Sequence, residues 1–350
     1  MNPLASVILP PLSAIYSVVT RARVTAYRRG WFSVSQLAAP VISVGNLTTG
    51  GTGKTPLVEW VCLAVARETG KSAGVLTRGY GRANPHSQVV VSDGNRLLAG
   101  AHESGDEPFL LAKDLIGIAA VISNPDRFAA GEWAINKLGT EVFVLDDGFQ
   151  HLRLARDLDI VTIDATNPWG GGHLLPYGRL REPRAGLSRA DCVVITRTEQ
   201  VENLAAIKDA IQRLAGAIPV FSSRMVASGI RGLDGKGADK VSLLAEPIAA
   251  FCGVGNPESF FNQLRREGCT PVFTRTFADH HRYNQADLDR LVKDAKAGGA
   301  AALLTTAKDA LKLVSLELDL PCHALDVQIS IDDADLLIEM IRNACRDRER

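Results

Sequence analysis

The 350-residue sequence has no surplus of charge of either sign: 39 Lys and Arg stand against 39 Asp and Glu, a formal net charge of +0 at pH 7. Without a global positive field it lacks what drives non-specific association with nucleic acid, which argues against a dedicated DNA or RNA binder. It has no CxxC pair and no cysteine-histidine cluster at zinc spacing. Its six cysteines, Cys62, Cys192, Cys252, Cys269, Cys322 and Cys345, are scattered and read as reduced, mostly buried thiols of a cytosolic protein. There is no internal repeat and no low-complexity tract. With 46% hydrophobic and 22% charged residues the composition excludes disorder, a collagen-like chain and a polytopic membrane protein. The length suggests two domains, or a large one with a small satellite.

The N-terminus departs from these averages. No charge falls between Asn2 and Thr20, a stretch made apolar by Leu4, Val7, Ile8, Leu9, Leu12, Ile15, Val18 and Val19, and Arg21, Arg23, Arg28 and Arg29 follow at once. A spanning helix needs about 20 apolar residues, and this run is shorter, carries serines and is expected to be split at Pro10-Pro11. The basic residues come after the apolar run, whereas a secretory signal has them before it. Two readings stay open: a helix lying in a bilayer interface with its arginines drawn to anionic lipid, or a helix packed on its own domain.

Val41–Val44 reads as a short buried strand, followed by a Gly/Thr loop and a helix from Pro56 to Ala66. Apolar, β-rich runs recur at Gly74–Leu76, Val89–Val91, Ala119–Ile122, Val142–Leu145, Ile160–Ile163 and Val193–Ile195. Strands of this kind alternating with helices imply an α/β fold with a mostly parallel sheet covered on both faces. Asn167–Arg189, rich in Gly, Pro and Arg, reads as a long functional or disordered loop. The polar, glycine-rich stretch 228–245 reads as a linker. The expected organisation is an N-terminal apolar/basic segment (1–35), a P-loop core domain (36–227), the linker (228–245) and a smaller C-terminal α/β domain (246–350).

Thr48, Thr49, Gly50, Gly51, Thr52, Gly53, Lys54 and Thr55 follow the first strand and open the helix, the context that gives a P-loop its meaning. Glycines let backbone N–H groups close on phosphate oxygens, and the helix N-terminus adds partial positive charge. Lys54 would reach the β/γ-phosphates and Thr55 would place its hydroxyl on Mg²⁺. Thr48 stands where GxxxxGKS/T has its first glycine, and Thr49 stands where partition-type ATPases carry a second lysine. The strand Val142–Leu145 ends in Asp146-Asp147, carboxylates suited to holding a P-loop Mg²⁺ directly or through water, with the choice between them open. No NKxD sequence for guanine is present, which favours ATP.

The segments VGNLTTGGTGKTP, LTRGYGR, GDEP, DDGFQH, LLPYGRLREP, GVGNPESF and DHHRY occur in this order between about Val41 and Leu313. Together they resemble the tetraacyldisaccharide 4'-kinase family, the lipid A kinases. The resemblance implies two α/β/α domains with the nucleotide bound between them. It also implies transfer of the ATP γ-phosphate to the 4'-hydroxyl of a tetraacylated glucosamine disaccharide 1-phosphate, at the cytoplasmic face of the bacterial inner membrane. The protein would attach there peripherally or monotopically through its N-terminal segment. On this resemblance Asp106 is the catalytic base and His280, from Asp279-His280-His281, its partner. Tyr80, His151, Arg181 and Glu182 match positions near the lipid headgroup, where Arg181 would fork onto a phosphate, Glu182 accept from sugar hydroxyls and Tyr80 stack on a sugar ring. Ala307 departs from the family, which more often has an acidic residue there. Two rivals from other classes also fit the P-loop: an ATPase acting as a membrane-associated conformational switch, and a non-catalytic nucleotide-binding scaffold. Neither accounts for GDEP, LREP and DHH together.

Overall fold

The computed structural model describes residues 3–238 and 246–346. The chain divides into two compact units, one containing everything up to Arg224 together with Ile331 onward, the other Met225–Ser330.

The first unit is built on β1 (Val41–Asn46), β2 (Ala73–Thr77), β3 (Val89–Ser92), β4 (Ala119–Ser123), β5 (Val142–Asp146), β6 (Leu158–Asp164), β7 (Cys192–Thr196) and the start of β8 (Val220–Gly232). Its strand order is β8-β7-β6-β1-β5-β2-β4-β3. Every pairing is parallel except that of the edge strand β3 with β4. β1, β2, β4, β5, β6 and β7 are buried at every position, which is why they read as continuous apolar runs. β1 lies at the centre of the sheet, and its C-terminal end feeds the phosphate loop and the helix Lys54–Thr69. Gly53 begins that helix at φ 80 and Gly70 ends it at φ 67, both left-handed conformations that glycine adopts without steric cost.

The N-terminal helix runs unbroken from Pro3 to Arg28, through both prolines, which corrects the expected split. The two prolines forfeit their own N–H bonds, but the helix beyond them is held from outside. Ser13 Oγ donates to the Leu174 carbonyl (2.9 Å), Tyr16 Oη donates to the Arg181 carbonyl (2.8 Å), and Ala26 is buried. The opposite side carries Ile8, Leu12, Ile15, Val18 and Val19, all exposed. The helix is therefore packed on its own unit along one face and apolar towards solvent on the other. No helix of the described residues is long and apolar enough to cross a membrane.

Asn167–Arg189 is anchored to the sheet by Leu180 and Leu187, both buried, and by Trp169 and Leu174 packed against the same cluster beside β6 and β7. At the other end of the chain the sequence reading carries the second domain to residue 350, whereas the helix Asp335–Ala344 belongs to the first unit and packs on Lys54–Thr69. Arg342 pairs with Glu68 (2.6 Å), and Lys71 Nζ donates to the Cys345 carbonyl (2.9 Å). These are contacts between sequence-distant residues, which periodicity alone does not reveal.

In the second unit the described part of the expected linker is mostly strand: β8 continues to Gly232 and β9 (Gly237–Ala238) folds back on it, Ile230 opposite Ala238. Residues 239–245 of that stretch lie outside the described residues. β10 (Ile248–Cys252), β11 (Phe273–Thr276), β12 (Ala302–Thr306) and β13 (Cys322–Ile331) pair in parallel in the order β11-β10-β12-β13. Alternate residues of β10 serve opposite faces. Ala250 and Cys252 join Phe260, Phe261 and Leu264 of one helix, and Ala249 and Phe251 join Leu288, Leu291 and Val292 of another. All six cysteines of the chain are buried and unpaired.

Candidate active site

The ends of three adjacent strands fix the phosphate loop. Asn46, the last residue of β1, donates from Nδ2 to Thr52 Oγ1 (2.9 Å), and Thr52 Oγ1 lies 2.9 Å from Thr162 Oγ1 on β6. Thr196, the last residue of β7, donates to the Thr52 carbonyl (2.9 Å). From the other side, the Thr49 amide donates to the Arg179 carbonyl (2.7 Å), and Thr48 bridges to Leu180. The long loop thus straps the phosphate loop at Thr48–Thr49, leaving Gly50 and Gly51 open and Lys54 and Thr55 in the first turn of the helix.

Next to it stands the acidic end of β5. Asp146 accepts from Thr77 Oγ1 (3.0 Å), and Asp147 follows in a left-handed conformation (φ 57) that turns its carboxylate towards the loop. Lys54 Nζ is 3.6 Å from Asp147 Oδ1. Arg181 Nη1 donates to both Asp147 oxygens, at 2.7 and 2.5 Å. The two carboxyls are driven apart. Desolvation, then Glu107 and Asp147, raise Asp146 to about 6. Burial would raise Asp147 as well, but Lys54 and Arg181 outweigh it and hold that group below the ordinary carboxylate range. Among the described residues no three His, Cys, Asp or Glu side chains gather as a metal cage. A P-loop Mg²⁺ needs few protein ligands, and Asp146, buried and raised by desolvation and by the charges of Glu107 and Asp147, is a hard-oxygen donor of the kind such an ion suits, on the strand end that Lys54 reaches.

Asp106 opens the helix Asp106–Asp114 directly after Gly105, whose φ of 95 places its backbone against the Tyr80 carbonyl; a Cβ there would come within 2.5 Å of that oxygen. The turns carrying Tyr80 and Asp106 are thereby locked together. Tyr80 is 54% exposed, and its hydroxyl accepts from Arg78 Nη1 (3.1 Å). His151 lies among Arg127, Arg156 and Arg153, and desolvation together with these cations lowers it to about 4, so its ring is neutral near pH 7.

Glu182 is placed differently from a headgroup acceptor. It is 2% exposed, Arg189 donates to both of its oxygens (2.8 and 2.9 Å), and Gln150 Nε2 donates to Oε1 (2.8 Å). Its oxygens are engaged within the protein, where they brace the loop that presents Arg181.

In the second unit His280 adopts φ 58, with its amide donating to the Gly253 carbonyl (3.3 Å) and Nε2 at 3.3 Å from Lys308 Nζ. An ammonium donates to Nε2 only if that nitrogen is unprotonated. His281 plays another part: it pairs with Asp287 (2.9 Å) and stacks on Phe277, inside the aromatic cluster with Tyr283. Asp309, fully buried, accepts from the Gly253 amide and from Thr306 Oγ1 (both 2.9 Å), so the TTAKD stretch around Ala307 braces the turn after β10.

Several residues of this region have little or no signal in the sequence. Arg127, 5% exposed, opens the helix Arg127–Leu138, where a cation opposes the helix dipole. Burial lowers its pKa, with Asp146 and Asp147 opposing that shift. In the sequence the signal was only an arginine directly after Asp126, a helix-capping residue. Gln150 lies in DDGFQH, but its tie to Glu182 has no local signal, and Arg189 carries none, since both contacts are tertiary.

The depressed His151 has a thermodynamic consequence. Between pH 6.5 and about 4 the unfolded chain binds a proton there that the folded chain refuses, so stability falls as pH falls through that window. Denaturant midpoints at pH 7 and pH 5 should show a smaller acid-side loss for His151→Gln than for the parent; equal losses would remove His151 from the account.

The chain matches the tetraacyldisaccharide-1-P 4'-kinase family model over residues 5–346. It is 39% identical over 331 residues to the tetraacyldisaccharide 4'-kinase of Desulfotalea psychrophila, covering 94% of each chain. It is 44% identical over 315 residues to that of Geobacter metallireducens, covering 89% of this chain and 90% of the other. Among solved structures, LpxK from Aquifex aeolicus in complex with ATP superposes with a TM-score of 0.77 at 30% identity, over 98% of this chain and 100% of that one. With a matching model along nearly its whole length, relatives at this identity and the same fold, the chain belongs to the tetraacyldisaccharide-1-P 4'-kinase family.

Proposed function

We propose that this chain is an ATP-dependent lipid kinase that transfers the γ-phosphate to the 4'-hydroxyl of tetraacyldisaccharide 1-phosphate, a step of lipid A biosynthesis. The observation that carries the reading is the meeting of Lys54, Asp147 and Arg181, which joins a phosphate loop, an acidic strand end and the loop assigned to the lipid headgroup. Lys54 and the amides of Gly50 to Thr55 hold the nucleotide phosphates, and Thr55 with Asp146 or Asp147 holds Mg²⁺. Bound there, Mg²⁺ neutralises charge on the phosphate oxygens. Asp106 accepts the proton of the 4'-hydroxyl, and His280 is assigned the orientation of that carboxylate or a share of its proton. Tyr80, His151 and Arg181 receive the headgroup, and Glu182 holds Arg181's loop in place. Phosphoryl transfer asks mainly for positioning and charge stabilisation, and this inventory provides both.

The lipid substrate cannot leave its bilayer cheaply, so the enzyme must work at one. The exposed Ile8, Leu12, Ile15, Val18 and Val19 face of the N-terminal helix, continued by exposed Trp31 and Phe32, supports attachment at the cytoplasmic surface of the inner membrane. Arg29 lies 5.3 Å from the Trp31 ring, a cation beside an aromatic as expected at a headgroup boundary.

In mixed micelles, Asp106→Asn should lower transfer of labelled γ-phosphate to the lipid by about 10²–10⁴-fold, with ATP binding retained. Lys54→Ala should abolish transfer, and an Asp106→Asn rate equal to that of the parent would remove Asp106 as the base. The double variant Ile15→Glu/Val19→Glu, which spares the packed face, should lose cosedimentation with vesicles of mixed zwitterionic and anionic phospholipid. Full cosedimentation of that variant would refute attachment through this helix.

A further inference from the structure

The phosphate loop carries a single lysine, Lys54, because Thr49 occupies the place where partition-type ATPases have a second one. The strap across the loop brings another cation to the same place. The Arg179 carbonyl accepts the Thr49 amide (2.7 Å), and Arg179 Nη1 would lie 3.8 Å from a Cβ built on Gly50. Gly170 packs beneath the Arg179 main chain so closely that a Cβ there would come within 2.7 Å of Arg179 Cβ. The position of the arginine relative to the loop is thus set by close contacts on two sides.

Its side chain differs from its neighbours. Lys54 and Arg181 are engaged with Asp147, Arg189 with Glu182 and Arg197 with Asp164. Arg179 is exposed and, among the described residues, makes no ion pair or hydrogen bond with its guanidinium. Gly50 is open and held at φ 109, in the part of the loop whose backbone cradles the β/γ-phosphates. An always-charged planar fork beside that backbone matches the geometry of two phosphate oxygens.

We propose that Arg179 binds the terminal phosphates of ATP, supplying from the strap the second cation that the loop itself lacks. The inference rests on the kinase reading only for the identity of the acceptor. A phosphate near Arg179 could in principle be the nucleotide's or the lipid's, and the experiment separates the two.

Full-length protein, Arg179→Gln and Arg179→Lys are titrated with ATP, ADP and AMP in the absence of lipid, and KM for the lipid is then measured at saturating ATP. For Arg179→Gln we expect ATP affinity to fall about 10-fold or more, ADP less and AMP not at all, with lipid KM unchanged. Arg179→Lys should recover part of the loss. Unchanged ATP affinity, equal losses for all three nucleotides, or a defect confined to lipid KM would each overturn the proposal. Absence of lipid phosphorylation by the parent protein would instead sink the kinase reading, leaving the nucleotide titrations to decide on Arg179.

Discussion

The carboxylate of Asp147 is where three distant stretches of the sequence meet. A partly buried carboxylate needs cations to offset its desolvation, and here Lys54 and Arg181 both do so. The arrangement binds the phosphate-loop helix to the loop that carries Arg181, through a residue whose left-handed backbone is itself set by the end of β5. Asp146, one residue earlier, is buried beside Glu107 and Asp147, and desolvation and these two charges outweigh Lys54 and raise it to about 6. The same strand end therefore offers one carboxylate that is satisfied and one that a divalent cation would relieve.

Around this hub the site is assembled from strand ends and one strap. Asn46, Thr162 and Thr196 hold Thr52 from the sheet, while the backbone of Arg179 and Leu180 holds Thr48 and Thr49 from above. The strap is kept in place by Leu180 and Leu187 in the core, and the N-terminal helix reaches it through Ser13 and Tyr16. A helix whose other face is apolar and exposed thus touches the very loop that bears Arg181. The membrane attachment and headgroup binding proposed for this chain would therefore share one piece of structure.

What could be read in the sequence was what is local. The phosphate loop follows a buried strand and opens a helix, so its residues are contiguous and their geometry follows from strand, glycine and helix start. Asp146-Asp147 at the end of an apolar run is of the same kind. Tyr80, His151, Arg181 and Glu182 were legible only through family resemblance, and the structure separates them: Arg181 reaches Asp147, whereas Glu182 is turned inward onto Arg189 and Gln150. The bond of Gln150 and the ion pair of Arg189 to Glu182 escaped because they are tertiary contacts, and the burial of Arg127 is decided by the fold. The prolines at 10 and 11 and the return of the C-terminal helix misled for the same reason, since tertiary contacts decide both.

The central claim is that phosphate moves to one hydroxyl of a lipid disaccharide. Phosphorus NMR of the lipid recovered after incubation with Mg²⁺ and ATP tests it most directly. One new phosphomonoester is expected, coupled to the 4' position, with ADP formed in equal amount. Release of inorganic phosphate with an unchanged lipid, or a phosphate on a different hydroxyl, would contradict it.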